Sequence, residues 1–308
     1  MKPPRVIILV LNYNLTDYTV ECVRSLQGVS YESLEILIVD NGSTDQTPES
    51  LKKALPGIEV HSTGVNLGYT GGVNAGLKIA LERDPDYILV LNPDTIVDKD
   101  FLGHLVSAME EHPSAAGACG TIYTHHDRSL VWYAGGRMVP LRGIAVHENM
   151  GRHLDPSTLG VPRTVSFITG CMILFRPSAL RVTGLEDERF FMALDDIEFS
   201  ARMEKCGFQL LYVPQSVIYH KVFGEKESPF KVYYSVRNRM LLIRTAWNGA
   251  VGFIARMYFL VVISMKLPVW WLAKPPMFRA AWMGLVDYFQ GNFGRGRGVE
   301  AFRYREDL

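Results

Sequence analysis

The stretch YILVLNPDTIV, residues 87–97, decides the fold. Five apolar residues, Tyr87 to Leu91, run into Asn92, Pro93 and Asp94 before Ile96 and Val97 resume. Proline donates no hydrogen bond to a sheet ladder, so pairing stops at Pro93. Asp94 then sits at the carboxyl end of a buried strand, the edge where open α/β sheets bind ligands. Taken alone, an Asp in that place is equally an ordinary turn or cap residue. Two runs of the same kind lie upstream, VIILVL (6–11) and LEILIVD (34–40). Continuous apolar runs of this length are typical of parallel strands buried on both faces.

Helical patterns separate these strands. TDYTVECVRSLQG (16–28) spaces Tyr18, Cys22 and Leu26 along one helix face and ends on Gly28. TDQTPESLKKAL (44–55) opens on a capping residue and carries Pro48 near its start. IEVHST reads as a short strand, and GGVNAGLKIALER (71–83) as a helix after a glycine turn. The order βαβαβαβ predicts a doubly wound, mostly parallel sheet flanked by helices. From about 115 to 170 the pattern is irregular, which we read as loops and short strands. SFITGCMILFRPSAL (166–180) restores a strand and a helix start, DDIEFSARMEKCGF (195–208) is a helix, and QLLYVPQSVIYHK is a strand ending near His220.

Formal net charge is zero over 308 residues, so no nucleic-acid partner is expected. The charge is unevenly placed: residues 241–308 carry nine Lys/Arg against four Asp/Glu. The four cysteines (Cys22, Cys119, Cys171, Cys206) are scattered with no CxxC pair, which argues against a zinc ribbon or disulfide framework and for a reducing, cytoplasmic setting. RVIILVLNYN is too short an apolar run for a signal-peptide core and reads as the first strand.

Residues 247–290 are rich in Trp, Phe and Met and studded with single cations. The charge-free run Met257–Met265 falls short of the about 20 residues of a spanning helix. Arg256 and Lys266 flank it, and Pro268 follows. A helix lying in the membrane interface fits this pattern, with aromatic and aliphatic residues buried and cations toward anionic headgroups. A hydrophobic dimer interface, or a helix packed on the core, is the alternative. We therefore divide the chain into a catalytic domain, 1–240, and a C-terminal amphipathic, aromatic-basic helical region, 241–308, with homo-oligomerisation open.

Three more segments join NPDT on the same predicted sheet edge: LNYN (11–14), VDNGSTD (39–45) and NLGYTGGVNAG (66–76). Glycines there let backbone amides approach a phosphate or sugar closely. The spacing is neither GxxxxGK[ST] nor GxGxxG after the first strand, so neither a P-loop nor a dinucleotide fingerprint is present. Together LNYN, VDNGSTD, NLGYTGGVNAG, LNPDT, ITGCMILFRP and FFMALDDIEFSARMEKCGF resemble family 2 glycosyltransferases of the GT-A fold, rhamnosyltransferase-like members above all. Each segment is weak singly, but the six occur in that family's order over roughly residues 5–240.

The resemblance implies a GT-A Rossmann-like fold and a set of roles. Asn12, Asn14 and Asp40 would meet the nucleotide base and ribose, and Asn66, Gly68 and Asn74 would line the nucleotide pocket. Asp94 matches the last carboxylate of the metal motif, whose first carboxylate is here Asn92; His220 resembles a histidine that joins the metal in some members, or is a surface strand-end histidine. Mg2+ or Mn2+ is the implied cofactor. Asp196 matches the catalytic base, with Asp195 beside it. Arg237, in a cluster with Arg239 and Arg244, would meet donor phosphates or lipid headgroups, or is one of three helix-surface arginines. Trp132, Tyr133, Gly135 and Gly136 fall where relatives build the sugar pocket; core packing is the alternative.

Chemistry supports this set on its own terms. Glycosyl transfer expels a diphosphate whose developing charge a cation stabilises, while a carboxylate takes the acceptor proton. The expected reaction is inverting transfer of rhamnose or another hexose from a nucleoside-diphosphate sugar, dTDP-rhamnose favoured. The expected acceptor is a lipid-linked or polysaccharide glycan of the cell envelope, met by a protein peripheral to the inner face of the cell membrane. The rivals are a sugar-1-phosphate nucleotidyltransferase, though LNYNLTDY offers no Arg or Lys to grip a triphosphate, and a non-catalytic nucleotide-sugar-binding protein.

Overall fold

The computed structural model describes residues 2–45, 47–155, 158–221 and 227–299. The chain opens with β1 (Val6–Asn12), α1 (Thr16–Gln27), β2 (Leu34–Asp40), α2 (Thr47–Ala54), β3 (Glu59–Ser62), α3 (Gly68–Glu82) and β4 (Tyr87–Leu91). β1 pairs in parallel with both β2 and β4, and β2 with β3. Every residue of β1 and β4 is buried, as their unbroken apolar runs require. The register sets Asn12 beside Asp40, so the polar strand ends meet at one edge.

Next come β5 (Thr95–Val97), α4 (Phe101–Glu111), β6 (Ala115–Thr124), β7 (Val131–Tyr133), β8 (Gly136–Val139), a 3-10 turn (Pro140–Arg142), β9 (Ile144–His147), β10 (Arg163–Val165), β11 (Met172–Phe175), α5 (Pro177–Thr183), α6 (Asp195–Lys205) and β12 (Gln209–His220). Among the described residues ten strands form one sheet, ordered β10-β12-β6-β11-β4-β1-β2-β3, with β5 on β12 and β7 on β6. β8 and β9 make a separate antiparallel hairpin. The sheet is mixed and mostly parallel: β1, β2, β3, β4, β6 and β12 run one way, and β5, β7, β10 and β11 run against them. β12 carries Pro214, and its register against β6 shifts between Val213 and Val217, as a bulge at a proline should.

The region read as irregular contains a ten-residue strand, β6, buried throughout. Its first six residues, AAGACG, lack large aliphatic side chains because their neighbours come too close. A Cβ on Gly120 would lie 2.2 Å from the Ser216 carbonyl oxygen. α3 begins at Gly68, three residues before the helix expected at 71, so the glycine turn forms its first turn.

Three helices complete the chain: α7 (Pro229–Ala246), α8 (Gly249–Ala273) and α9 (Pro275–Gln290). Residue 240 falls inside α7, which packs on α6 and α9, so the expected domain division lies within one helix. α8 runs unbroken through Lys266 and Pro268, well beyond the charge-free run. By length and composition alone it could cross a membrane. Residues 300–308 of the expected C-terminal region lie outside the described residues.

Candidate active site

The strand ends build a polar ledge. Asn12 is fully buried; its Nδ2 donates to Asp40 Oδ1 at 2.8 Å and its Oδ1 accepts from the Thr19 hydroxyl at 2.8 Å. Asp40 also accepts from the Ser43 backbone N–H. Asn14, in the left-handed region at φ 53°, accepts from the Thr44 N–H at 2.9 Å. Asn41 closes the ledge by donating to the Gly68 carbonyl at 2.8 Å, and Asn66 Oδ1 accepts from the Gly68 N–H at 2.8 Å. Asn12, Asn14, Asp40, Asn66 and Gly68 are thus brought together. Asn74 is not among them: its amide is buried and bonded to both backbone groups of Glu186 at 2.9 Å. It ties α3 to the loop before α6, which takes its side chain out of a nucleotide pocket.

Asp94 lies in the turn between β4 and β5. The pairing of β5 with β12 sets His220 opposite Thr95, and His220 Nε2 reaches Asp94 Oδ2 at 3.1 Å. Asn92 holds the turn through its backbone, its N–H on the Cys171 carbonyl at 3.0 Å and its carbonyl accepting from the Thr95 hydroxyl at 2.8 Å. Asp94 Oδ1 and His220 Nδ1 are buried with no hydrogen-bond partner in the protein. The orphaned Asp94 Oδ1, on a carboxylate that already meets His220 Nε2, suits a cation held by that oxygen and that ring nitrogen. Among the described residues no third His, Cys, Asp or Glu joins them, so further ligands would come from phosphate and water.

Asp195 and Asp196 open α6. Asp196 Oδ2 accepts from the Gly170 N–H at 3.1 Å, while the next residue, Cys171, accepts from Asn92. Two adjacent residues at the entry to β11 therefore bond the base candidate and the turn that carries Asp94. Tyr69 caps the same point, its hydroxyl on the Gly170 carbonyl at 2.7 Å. Trp132 packs on the two histidines, its ring edge-on to His220 at 4.8 Å and to His147 at 4.6 Å. His147 Nδ1 is 3.0 Å from the Trp132 carbonyl, an arrangement in which the ring donates.

Burial sets the electrostatics. Asp195 is pushed up to about 8, first by burial and then by the charge of Asp196. Asp196 is raised by burial too, opposed by the Gly170 N–H and by His147. Glu186, buried beside them, rises well above the carboxylate range for the same reason, with Asp195 and Asp196 adding to it. A carboxylate whose proton affinity lies toward neutral is suited to general-base work.

The loop leading into α6 is strained. Phe191, Ala193 and Leu194 all have φ between 64° and 69°, where side-chain-bearing residues are disfavoured. Its supports come from α7. Asn238 Nδ2 faces the carbonyls of Phe190, Met192 and Ala193 at 2.9, 2.7 and 3.0 Å. Arg237 donates to the carbonyls of Phe190 at 3.1 Å and Gly294 at 2.7 Å. Arg237 is fully buried, so the expectation that it meets phosphate gives way: its guanidinium is spent on holding this loop. Arg239 lies over the Phe259 ring and Arg244 over Phe293, so this cluster packs the C-terminal helices. Of the sugar-pocket candidates Tyr133 is core, its hydroxyl on the Phe167 carbonyl. Gly135 and Gly136 are close-approach glycines against Arg163 and Phe167, which leaves Trp132 alone half-buried at the site.

Residues 6–184 match the protein family described as glycosyl transferase family 2. The chain belongs to that family. It is accordingly a glycosyltransferase, which sets aside the nucleotidyltransferase and non-catalytic alternatives. Among curated relatives it is similar to N-acetylglucosaminyl-diphospho-decaprenol L-rhamnosyltransferase of Mycobacterium tuberculosis, 29% identical over 72% of this chain and 78% of the relative. Solved structures show the same GT-A fold. Mannosyltransferase PcManGT from Pyrobaculum calidifontis, in complex with GDP-Man and Mn2+, superposes with a TM-score of 0.56 at 14% identity over 94% of this chain and 88% of that one. GalNAc-T7 with UDP, GalNAc and Mn2+ gives 0.62 at 15% identity over 79% of this chain, which spans about half (48%) of that structure's length.

Proposed function

We propose that this family 2 glycosyltransferase moves a deoxyhexose, rhamnose favoured, from a dTDP-linked donor to a polyprenyl-diphosphate-linked acceptor in the assembly of a cell-envelope glycan. The sugar and acceptor class follow the activity named for the mycobacterial relative. The observation that carries the catalytic reading is the junction at Gly170 and Cys171, which bonds Asp196 on one side and the Asp94 turn on the other.

The residues divide the labour. The ledge seats the nucleotide: Asn14 and Asn66 line it, while Asn12, Asp40 and Gly68, buried beneath, fix its shape. Asp94 and His220 hold a divalent cation, Mg2+ or Mn2+, which when bound supplies Lewis-acid stabilisation of the departing diphosphate. Asp196 accepts the proton of the acceptor hydroxyl as its oxygen bonds to the anomeric carbon. The carbon–oxygen bond to the nucleoside diphosphate breaks in the same displacement, and the configuration inverts. Burial raises the proton affinity of both Asp195 and Asp196, so the pair is placed to take up the acceptor proton near neutrality, with Asp196 held on the Gly170 N–H. Trp132, between the two histidines, offers an aromatic wall for the sugar. The protein would work at the cytoplasmic face of the membrane, where lipid-linked acceptors are presented.

A panel of sugar nucleotides, screened with Mn2+ for donor hydrolysis and for transfer to a polyprenyl-diphosphate acceptor, tests this reading. dTDP-rhamnose turnover that chelation abolishes is expected. Turnover of no sugar nucleotide, or turnover indifferent to chelation, refutes it.

A further inference from the structure

Helix α8 has two apolar stripes on opposite sides. The inner stripe, Gly252, Ala255, Phe259, Ile263 and Trp270, is buried against α7, α9 and the 3-10 turn. The outer stripe is Ile254, Tyr258, Val261, Met265, Val269 and Leu272, with relative exposures from 36% to 84%. Its steps of three and four residues place all six on one narrow helical face. A helix packed on a water-soluble domain normally turns polar residues outward; this one turns outward a continuous greasy seam. Trp271 and Trp282 lie at the end of the seam, bridged by Phe278 with ring centroids 6.3 Å apart on each side.

We propose that this outer face of α8 is a docking surface for a lipid bilayer bearing anionic phospholipids, with the helix lying in the interface rather than crossing it. The buried inner stripe decides the orientation, since a spanning helix would have to tear it from α7 and α9. Charge decides the occupant. Arg256 lies on the inner side with its Nε buried; exposed Lys266 flanks the seam, exposed Lys274 and Arg279 follow it, and α8 carries no acidic residue. A second copy seated on this face would bring these cations together with no acid on α8 to meet them. Anionic headgroups meet them directly, and indole rings suit the headgroup level.

The surface continues toward the catalytic centre. The tip of the β8–β9 hairpin lies on α8: Arg142 stacks over the Tyr258 ring at 5.7 Å, and a Cβ on Gly143 would fall 3.8 Å from Ala255 Cβ. Leu141, at the same tip, is exposed. At the hairpin's other end Gly136 pairs with His147, the residue edge-on to Trp132. A four-residue ladder spans about 13 Å, so a lipid-borne headgroup at the docked face is one hairpin length from the site. The inference deepens the proposed function and rests on its membrane-borne acceptor for purpose, but its test does not depend on catalysis.

The test is co-sedimentation of the full chain with vesicles of phosphatidylcholine alone and of an equal mixture with phosphatidylglycerol. The protein is expected to follow the anionic vesicles, less so at high salt. V261Q/M265Q/L272Q, which alters exposed side chains only, should weaken that binding at least about tenfold. Its melting temperature and vesicle-free donor hydrolysis should stay unchanged. Hydrolysis without vesicle binding would overturn the docking surface and leave the transferase reading intact; vesicle binding without hydrolysis would do the reverse. Equal binding to pure phosphatidylcholine, an unaffected triple variant, or a dimer that the triple variant dissociates while vesicles are ignored would each overturn it.

Discussion

The two walls of the site are built in contrasting ways. The nucleotide ledge is made by strand ends and the turns after them, whose side chains bond one another and nearby backbone: Asn12 to Asp40, Asn14 to the Thr44 N–H, Asn41 to the Gly68 carbonyl. The acidic wall is made by a loop with three left-handed residues at Phe191, Ala193 and Leu194, held from outside by Arg237 and Asn238 about 45 positions away. The two meet where Gly68, at φ 79°, lies so close to the Phe191 ring that a Cβ would fall 2.4 Å from it. The ledge draws its bonds from residues 12–68 alone, whereas the strained loop draws its support from α7. Binding and chemistry should therefore be separable by mutation.

The largest effect belongs to the acidic wall. Asp196→Asn should lower kcat by about 10²–10⁴-fold, the range for a positioned base, while calorimetry shows donor binding retained. Equal turnover by the variant would remove Asp196 from the role. On the opposite side of the reacting sugar, Asp94→Asn should cost about 10²–10³-fold in kcat as diphosphate stabilisation is lost. It should also weaken Mn2+ binding measured with nucleoside diphosphate in the absence of any acceptor. Unchanged Mn2+ affinity would detach Asp94 and His220 from the metal.

The same contrast explains what could be read from residues in a row. The runs 6–11, 34–40 and 87–91 carry their burial in their composition, and all three are central strands. DDIE carries the helix start that places Asp195 and Asp196. β6 escaped because close packing against Ser216 and Leu174 selects Ala and Gly, which also mark loops. Arg237 was legible as a functional arginine but not as a buried one, since nothing near it in sequence reports the carbonyls it meets. His147 had no local signal; only the hairpin register brings it to Trp132. The left-handed loop lacks glycine at all three of its strained positions, so the usual mark of such backbone is missing.

A milder break isolates the support from the base. Asn238→Ala removes hydrogen bonds to the Phe190, Met192 and Ala193 carbonyls and touches no substrate. The amide has two N–H groups, each worth about 1 kcal/mol net, so kcat should fall by up to about 30-fold while donor KM holds. Asn12→Ala should do the reverse, raising donor KM with less change in kcat. If both variants alter the two constants alike, the walls are one cooperative unit and the separation fails.

The smallest effect is on stability and carries a definite sign. Asp195 has its proton affinity raised to about 8 by burial and by Asp196. The folded state thus binds a proton that the unfolded chain, with an Asp near 3.9, releases much earlier. Between those values the native protein holds more protons than the unfolded one, so this stability is complete below about 4 and is lost as pH rises through about 8. Asp195→Asn keeps the shape and removes the titration. Denaturant midpoints measured from pH 5 to 9 should then decline less steeply in the variant, with the largest gain at the alkaline end. A decline of equal slope in both proteins would mean that Asp195 is charged at neutrality and holds no extra proton in the folded state.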